Sequence, residues 1–273
     1  MKSATRNWRA APWAAMAIAA AGPAAAQSAS ASGGWQFEAA IYGWFPAIGG
    51  TTAFPPNGGG PSVDVSMGDV IDALKFAFMG SLQARHGAWG LWTDLVYADF
   101  GDSKQGSRDF SIGGQRPPVG VSADLGLDLK SWIWTLAGTF SLKSDAEGNT
   151  DLLFGTRMLD LSNTLNWSFS AAVPLYPGRS GGGEATLTNW DAVVGLKGRT
   201  RLGQGSPWFV PYYADVGGGE SKLTWQVQGG IGYEFDWGSV IATWRYLDYE
   251  FKSSSKIQTL GMNGPTIGVS FRF

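Results

Sequence analysis

The sequence predicts an all-β protein whose strands close into a transmembrane antiparallel up-and-down β-barrel. Three observations carry this. The segment Thr266-Ile267-Gly268-Val269-Ser270-Phe271-Arg272-Phe273 alternates polar and apolar residues to its last position, with Ile267, Val269, Phe271 and Phe273 on one face. Chain ends usually fray, whereas a last strand that closes a cylinder against the first has a reason to stay ordered. The other strand-like segments keep their charges on one face of the same period-two pattern. Finally, the connections alternate between tight turns and long Gly/Pro/Ser-rich loops, as in barrels that cross a membrane.

The chain begins with Lys2, Arg6 and Arg9, an Ala-rich apolar stretch from Ala10 to Ala21, and Ala24-Ala25-Ala26 before Gln27. This reads as a secretory signal peptide over 1–26, too short to span a bilayer as a helix. A Ser/Ala/Gly-rich leader follows over 27–34, and the barrel domain is expected over 35–273. Removing the three basic residues leaves a chain more acidic than the net −2 of the whole. An acidic chain without basic blocks argues against a nucleic-acid partner. With Cys 0, neither disulfides nor thiolate metal sites are available. Gly 40 and 14% aromatic residues fit barrel strands. Mean hydropathy is near neutral, as expected when only alternate residues face lipid.

Ten strands are expected, near 35–46, 75–86, 88–100, 120–142, 150–170, 189–202, 208–217, 222–236, 238–251 and 262–273. Short connections fall at His86-Gly87-Ala88, Lys143 to Asn149, Gly203 to Pro207 and Asp236-Trp237-Gly238. Long ones fall at 47–74, 101–119, 171–188 and 252–261. Only 218–221 is short where a long loop is due. The fourth and fifth strands run about 20 residues, against roughly 9–11 needed to cross a bilayer. Turns at Lys130-Ser131 and at Asp160 to Asn163 would give twelve strands, but Lys-Ser is poor turn chemistry. Eight is the remaining alternative. Trp35, Trp89, Trp208 and Trp237, with Phe273, fall at the short-turn ends, and Trp44, Tyr97, Phe100, Trp190 and Trp225 toward the others. Two interfacial aromatic girdles result.

Period-two counting then places the candidate lumen residues: Arg85, Asp94, Arg157, Asp191, Lys197, Arg199, Asp215, Glu234, Arg245 and Arg272, with Glu38, Asp124 and Asp128. A charge facing lipid at mid-depth costs about 2–4 kcal/mol, so each strand's register turns its charges inward. Both signs are present in similar number. They either pair into a packed lumen, as the narrowness of ten strands suggests, or line a narrow pore in which Lys197, Arg199 and Arg157 face Asp94 and Asp215.

Motifs for chemistry are weak, and no catalytic, cofactor or metal residue is assigned. His86 is the only His and sits at a short turn, away from the outer rim where hydrolysis by general-base catalysis would need it. The run from Asp145 to Asp151 opens like a calcium loop but has Thr150 and Thr156 where Gly and Glu are required, so a solvated turn is expected. Gly229-Gly230-Ile231-Gly232 precedes no helix; its small residues make room for neighbours. Ser66-Met67-Gly68-Asp69 opens like a helix cap, so 66–74 is either a short helix at the barrel mouth or an extended lead into the second strand.

The last strand is similar to the closing strand of Gram-negative outer-membrane barrels, which implies that Phe271 and Phe273 form a signal for the barrel assembly machinery. Pro211-Tyr212-Tyr213-Ala214-Asp215-Val216-Gly217, Leu223-Thr224-Trp225-Gln226, Gly230-Ile231-Gly232-Tyr233, Trp237-Gly238 and Trp244-Arg245-Tyr246-Leu247-Asp248-Tyr249 resemble a widespread set of proteobacterial outer-membrane barrel proteins of unassigned activity. Val63 through Leu74 and Asp151 through Arg157 are similar to earlier blocks of that set. The resemblance implies fold and location but no substrate. The expectation is a non-enzymatic envelope barrel in the outer membrane, exported with its N-terminus periplasmic. It is either a narrow porin-like channel for small solutes or a plugged structural or surface-binding barrel, with membrane lipids and the assembly machinery as partners. The competing classes are a barrel enzyme acting on lipid or peptide and a soluble periplasmic binding barrel or sandwich.

Overall fold

The computed structural model describes residues 34–52, 62–101, 121–171, 179–253, 255 and 257–273. The expected signal peptide, most of the leader and the 102–119 connection lie outside these residues, as do the side chains of Asp124 and Asp128. In chain order the elements are β1 (Trp35–Trp44), β2 (Ala47–Thr52), β3 (Ser62–Val65), α1 (Met67–Ala73), β4 (Leu74–His86), β5 (Trp89–Gly101) and β6 (Val121–Asp145). Then come β7 (Gly148–Ala171), β8 (Arg179–Arg201), β9 (Trp208–Gly219), β10 (Ser221–Phe235), β11 (Gly238–Phe251) and β12 (Ile257–Arg272).

Each strand from β4 to β12 pairs antiparallel with the next, β1 pairs with β4, and β12 returns to β1 from Glu38–Arg272 to Trp44–Thr266. The wall is closed, so no long sheet edge is left unpaired. Phe37 and the terminal Phe273 exchange two main-chain hydrogen bonds, of 2.9 and 3.1 Å. β2 continues the line of β1 along β12 after a bend at Phe45-Pro46, so β1 and β2 form one wall strand and the barrel has ten.

The long strands are continuous. β6 and β7 pair from Asp145–Gly148 out to Val121–Ala171, with Lys130-Ser131 and Asp160 to Asn163 inside the ladder, so the twelve-strand alternative is excluded. β7 in turn draws 179–188 into β8, although Gly181, Gly182 and Gly183 read as loop. The expected loop at 171–188 therefore loses 179–188 to β8, and 172–178 lie outside the described residues. β12 likewise begins at Ile257 rather than 262. The turns obey local chemistry. Gly87 sits at φ +59, where a Cβ is disfavoured. The Asp145 carboxylate accepts from the N–H groups of Glu147 and Gly148 at 2.9 and 3.1 Å and pairs with Lys143 at 3.2 Å. Desolvation is the largest single influence and opposes ionisation, but Lys143 and those two amides together outweigh it and hold this turn carboxyl below its usual range.

The outside is apolar over a defined height. Trp35, Trp89, Trp208, Trp237 and Phe273 are exposed at the end that carries the tight turns and the chain terminus, here the turn end. Tyr97 stacks near Trp132 (4.4 Å) and Trp225 near Tyr246 (4.8 Å) toward the loop end, with exposed Trp190 beside Trp134. Between these bands lie exposed Phe78, Leu82, Leu91, Phe154, Val194, Leu196, Val227, Ile231 and Ile267. The eight steps from Trp89 to Tyr97, at about 3.4 Å each and a tilt of about 40°, give roughly 21 Å of height, close to the apolar band of membrane barrels. Beyond Tyr97 and Tyr246 the same face turns ionic, with Asp99 opposite Lys130 and Lys222 paired to Glu250. Two expected girdle members do not belong: Trp44 is buried inside, and Phe100 lines an internal cavity. No described helix is long and apolar enough to cross a membrane, which says nothing of a crossing by strands.

At the loop end, Met67–Ala73 is helical, and Leu74 already belongs to β4. Ser66 caps α1, accepting from the Asp69 N–H at 3.3 Å while its hydroxyl donates to the Asp69 carboxylate at 2.8 Å. Placing a charge on the outer band, by Leu196→Arg, is expected to lower stability by about 2–4 kcal/mol, as read by urea unfolding in liposomes. A polar substitution at exposed Leu202, outside the band, should change it far less.

Candidate functional site in the barrel interior

Lumen-facing side chains form three tiers, each set by the inward parity of its strands. At the turn end, Arg272 reaches Glu38 at 3.0 Å and Glu234 at 3.4 Å, and Glu234 also takes Arg199 at 3.5 Å and Arg201. The Arg199 guanidinium lies over the Phe209 ring at 5.0 Å. Phe209 in turn occupies the space above Gly232, where a Cβ would come within 2.2 Å of the ring.

The middle tier is the most buried. Arg157, on β7, pairs with Asp215 and donates to Tyr213 (3.4 Å), Thr135 (3.3 Å) and Thr224 (3.5 Å). Arg245, on β11, pairs with Asp94 at 3.1 Å and donates to Tyr42 Oη at 3.0 Å and Gln226 Oε1 at 2.9 Å, while Tyr42 donates to Asp94 at 2.6 Å. Arg85 pairs with Asp151, whose carboxylate also accepts from Gln83 at 3.3 Å. Lys197 donates to Gln83 at 2.6 Å and sits 4.9 Å from the centre of the Trp92 ring. Asp191 accepts from Asn189 at 2.6 Å and from the Ser221 N–H and hydroxyl at 2.9 and 2.6 Å.

These bonds cross the barrel rather than follow its wall. β11 and β5, joined by Arg245–Asp94, stand four strands apart around the circle, as do β8 and β4, joined by Lys197–Gln83. Arg157–Thr224 and Arg85–Asp151 each span three. In a ten-stranded wall that is most of the way across. Arg157 and Asp151 have no exposed surface, and Arg245 keeps 2%.

The upper tier is apolar. Trp44, Met79, Val96, Ile133, Leu159, Leu247, Tyr249, Phe251 and Met262 pack into one cluster. Beside it, under α1, lies a cavity of about 70 Å³.

The ten lumen candidates thus have defined positions: Arg85, Asp94, Arg157, Asp191, Lys197, Asp215 and Arg245 in the middle tier, and Arg199, Glu234 and Arg272 at the turn end. The basic ladder of Lys197, Arg199 and Arg157 does not form; each is held by a different partner. Sequence reasoning missed Tyr42, Tyr213, Gln226 as an arginine partner, Arg201 and Asp151. Asp151 carried a usable signal: it shares parity with Leu153 and Arg157, but its place in the calcium-like run drew it into the turn. His86 lies in the last β4 pair, opposite Trp89, with its ring 5.3 Å from Trp35, remote from the cavity.

A buried pair that loses one member leaves an uncompensated charge. Arg157→Met is therefore expected to destabilise by about 3–5 kcal/mol, and Arg157→Met with Asp215→Leu to recover most of that loss. Equilibrium unfolding of the three variants checks this.

No protein-family model matches the chain, and no curated protein matches it. Among solved structures, the outer membrane protease OmpT from Escherichia coli is similar at 12% identity and a TM-score of 0.45, over 90% of this chain and 99% of that one. Ail, the attachment invasion locus protein of Yersinia pestis, matches at 11% identity and a TM-score of 0.34, over 89% and 100%. The translocator domain of the autotransporter NalP from Neisseria meningitidis matches at 14% and 0.31, over 90% of each chain. At these levels the likeness carries no argument about activity.

Proposed function

We propose that the chain is a non-enzymatic outer-membrane barrel whose lumen is closed at mid-height, a plugged barrel with a surface role rather than a conducting channel. The observation that carries this is the set of buried ion pairs and hydrogen bonds joining strands three and four apart. A conducting pore keeps its charged walls separated by water, whereas here opposing walls hold each other. Breaking several buried pairs together to admit a solute would leave charges without partners.

The apolar belt between two aromatic bands suits hydrocarbon, and the closed ten-strand wall suits the outer membrane in particular. We take the turn end as periplasmic, the expected signal peptide as the export signal, and Phe271 with Phe273 as the mark for the assembly machinery. The long connections then face outward. The position of His86, at the turn end beside Trp35 and opposite Trp89, supports a non-enzymatic role. A narrow channel for small solutes is the second reading, favoured by the many charged side chains of the turn-end and middle tiers.

In planar bilayers, the wild-type protein is expected to give no current steps above background. Asp94→Ala with Arg245→Ala removes one crossing pair without leaving a lone charge and should give small, frequent steps. Steady, ion-selective conductance from the wild type would replace this reading with the channel.

A further inference from the structure

We propose that the loop-end half of the lumen is a binding chamber for an acyl chain, entered from the membrane through an unzipped seam between β1 and β4. This rests on the reading of a membrane-embedded barrel closed below.

The seam is written in the main chain. The β1–β4 ladder ends at Ile41–Gly80, whereas β4 continues to Leu74 paired with β5. Just above the break, the N–H of Phe45 turns to β12 and donates to Pro265 O at 3.0 Å. The N–H of Trp44 turns the other way, toward β4, and meets the thioether sulfur of Met79 at 3.0 Å instead of a carbonyl. The next position facing β4 is Pro46, which has no N–H to leave unpaired. An unpaired donor in a hydrocarbon-facing wall is costly. The seam is short, because β2 pairs with β3 from Ile48–Val65 to Thr51–Ser62, and the sequence makes the stretch between Ile41 and Ile48 tolerable without a neighbour strand.

Behind the seam lies the cavity of about 70 Å³. Trp44, Met79, Val96, Ile133 and Met262 line it, α1 roofs it with Val70 and Ile71, and Ser131 is the single polar side chain among its lining residues. Val70 is 5% exposed and Ile71 47%, so the helix presents one residue inward and another at the rim. On the outer face of β4, Phe76 and Phe78 are exposed in continuity with the lipid-facing band. An apolar cavity stays dry, and its walls forfeit dispersion contacts while it is empty. At about 30 Å³ per water equivalent, the closed chamber takes the end of a chain, and the rest of the chain fits along the seam. A chain with an acceptor near its head gains further, because the buried indole N–H of Trp44 has no partner among the described residues. The polar tier forms the floor: Arg245 lies 4.6 Å from the centre of the same Trp44 ring.

Two sources supply an acyl chain, a bilayer phospholipid and a free fatty acid. The full chain, refolded in bile-salt micelles, would be titrated with a conjugated-polyene fatty acid whose emission rises in apolar surroundings. In a second arm, nanodiscs would carry a phosphatidylcholine bearing the same chain. Saturable binding at one per barrel is expected in at least one arm, and that arm names the source. Ala98→Phe, which fills the chamber from β5, and Val70→Trp, which fills it from α1, should each weaken binding at least tenfold. Val194→Ala on the lipid face of β8, away from the seam, should leave it unchanged. Folding of every variant is read by heat-modifiable gel migration. A diazirine acid photolysed on the wild type needs no variant, and its adducts should map to Trp44, Met79 or Met262. Non-saturable binding in both arms, wild-type affinity in folded filling variants, or adducts confined to lipid-facing residues would overturn the proposal. Current steps from the wild type would count against the closed lumen instead, leaving the chamber result readable by itself.

Discussion

Charge has only one place to go in a cylinder surrounded by hydrocarbon. The wall must close so that no main-chain donor meets lipid, and closure fixes how far apart the inward-facing side chains stand. At ten strands the long arginine and lysine side chains reach across that space. Arg245 meets Asp94, Arg85 meets Asp151, and Lys197 meets Gln83. Closure and ion pairing are therefore one constraint. Widening the barrel would strand these charges, and neutralising them would remove what holds opposite walls together.

The interior does not use this solution along its whole height. Below the level of Trp44 the lumen is ionic, and above it the same inward parity presents Met79, Val96, Ile133, Leu247 and Met262. The change coincides with the end of the β1–β4 ladder at Ile41–Gly80. Where the wall is fully bonded, the lumen holds charge. Where the wall is interrupted and hydrocarbon lies close by, the lumen is apolar. A charged tier behind an open seam would face hydrocarbon with little water to solvate it, so the two halves of the interior match the two states of the wall.

Much of this was legible in the chain. Period two located ten wall strands, although it left β2 inside the expected 47–74 loop, and turned Arg157, Lys197 and Arg245 inward, because a single register slip would have put them on the outer face. Ser66 and Asp69 made α1 one of two open readings of 66–74, and the structure takes the helix. Partnership was not legible, since which inward residues meet depends on the stagger of the closed barrel and not on parity within one strand. The Gly-rich start of β8 read as loop because its own residues are poor strand formers; it is held extended by twenty-odd residues of β7 beside it. Trp44 was assigned to a girdle by its height alone. Parity with Glu38 and Tyr42 points it inward, and Pro46, two residues later, marks where the wall changes.

Trp44 sits at the junction of all these features. Its main chain closes the last bonded level of β1 with β12, opposite Thr266, and its N–H donates to the Met79 sulfur in place of a carbonyl. One side of its ring system meets the Arg245 guanidinium, part of the seal below, and the residue also lines the apolar space above. A cation over an indole gains most when water is excluded. Packing in the upper chamber and the strength of the mid-height seal are thus linked through one side chain, and a change on either side of that ring acts on both.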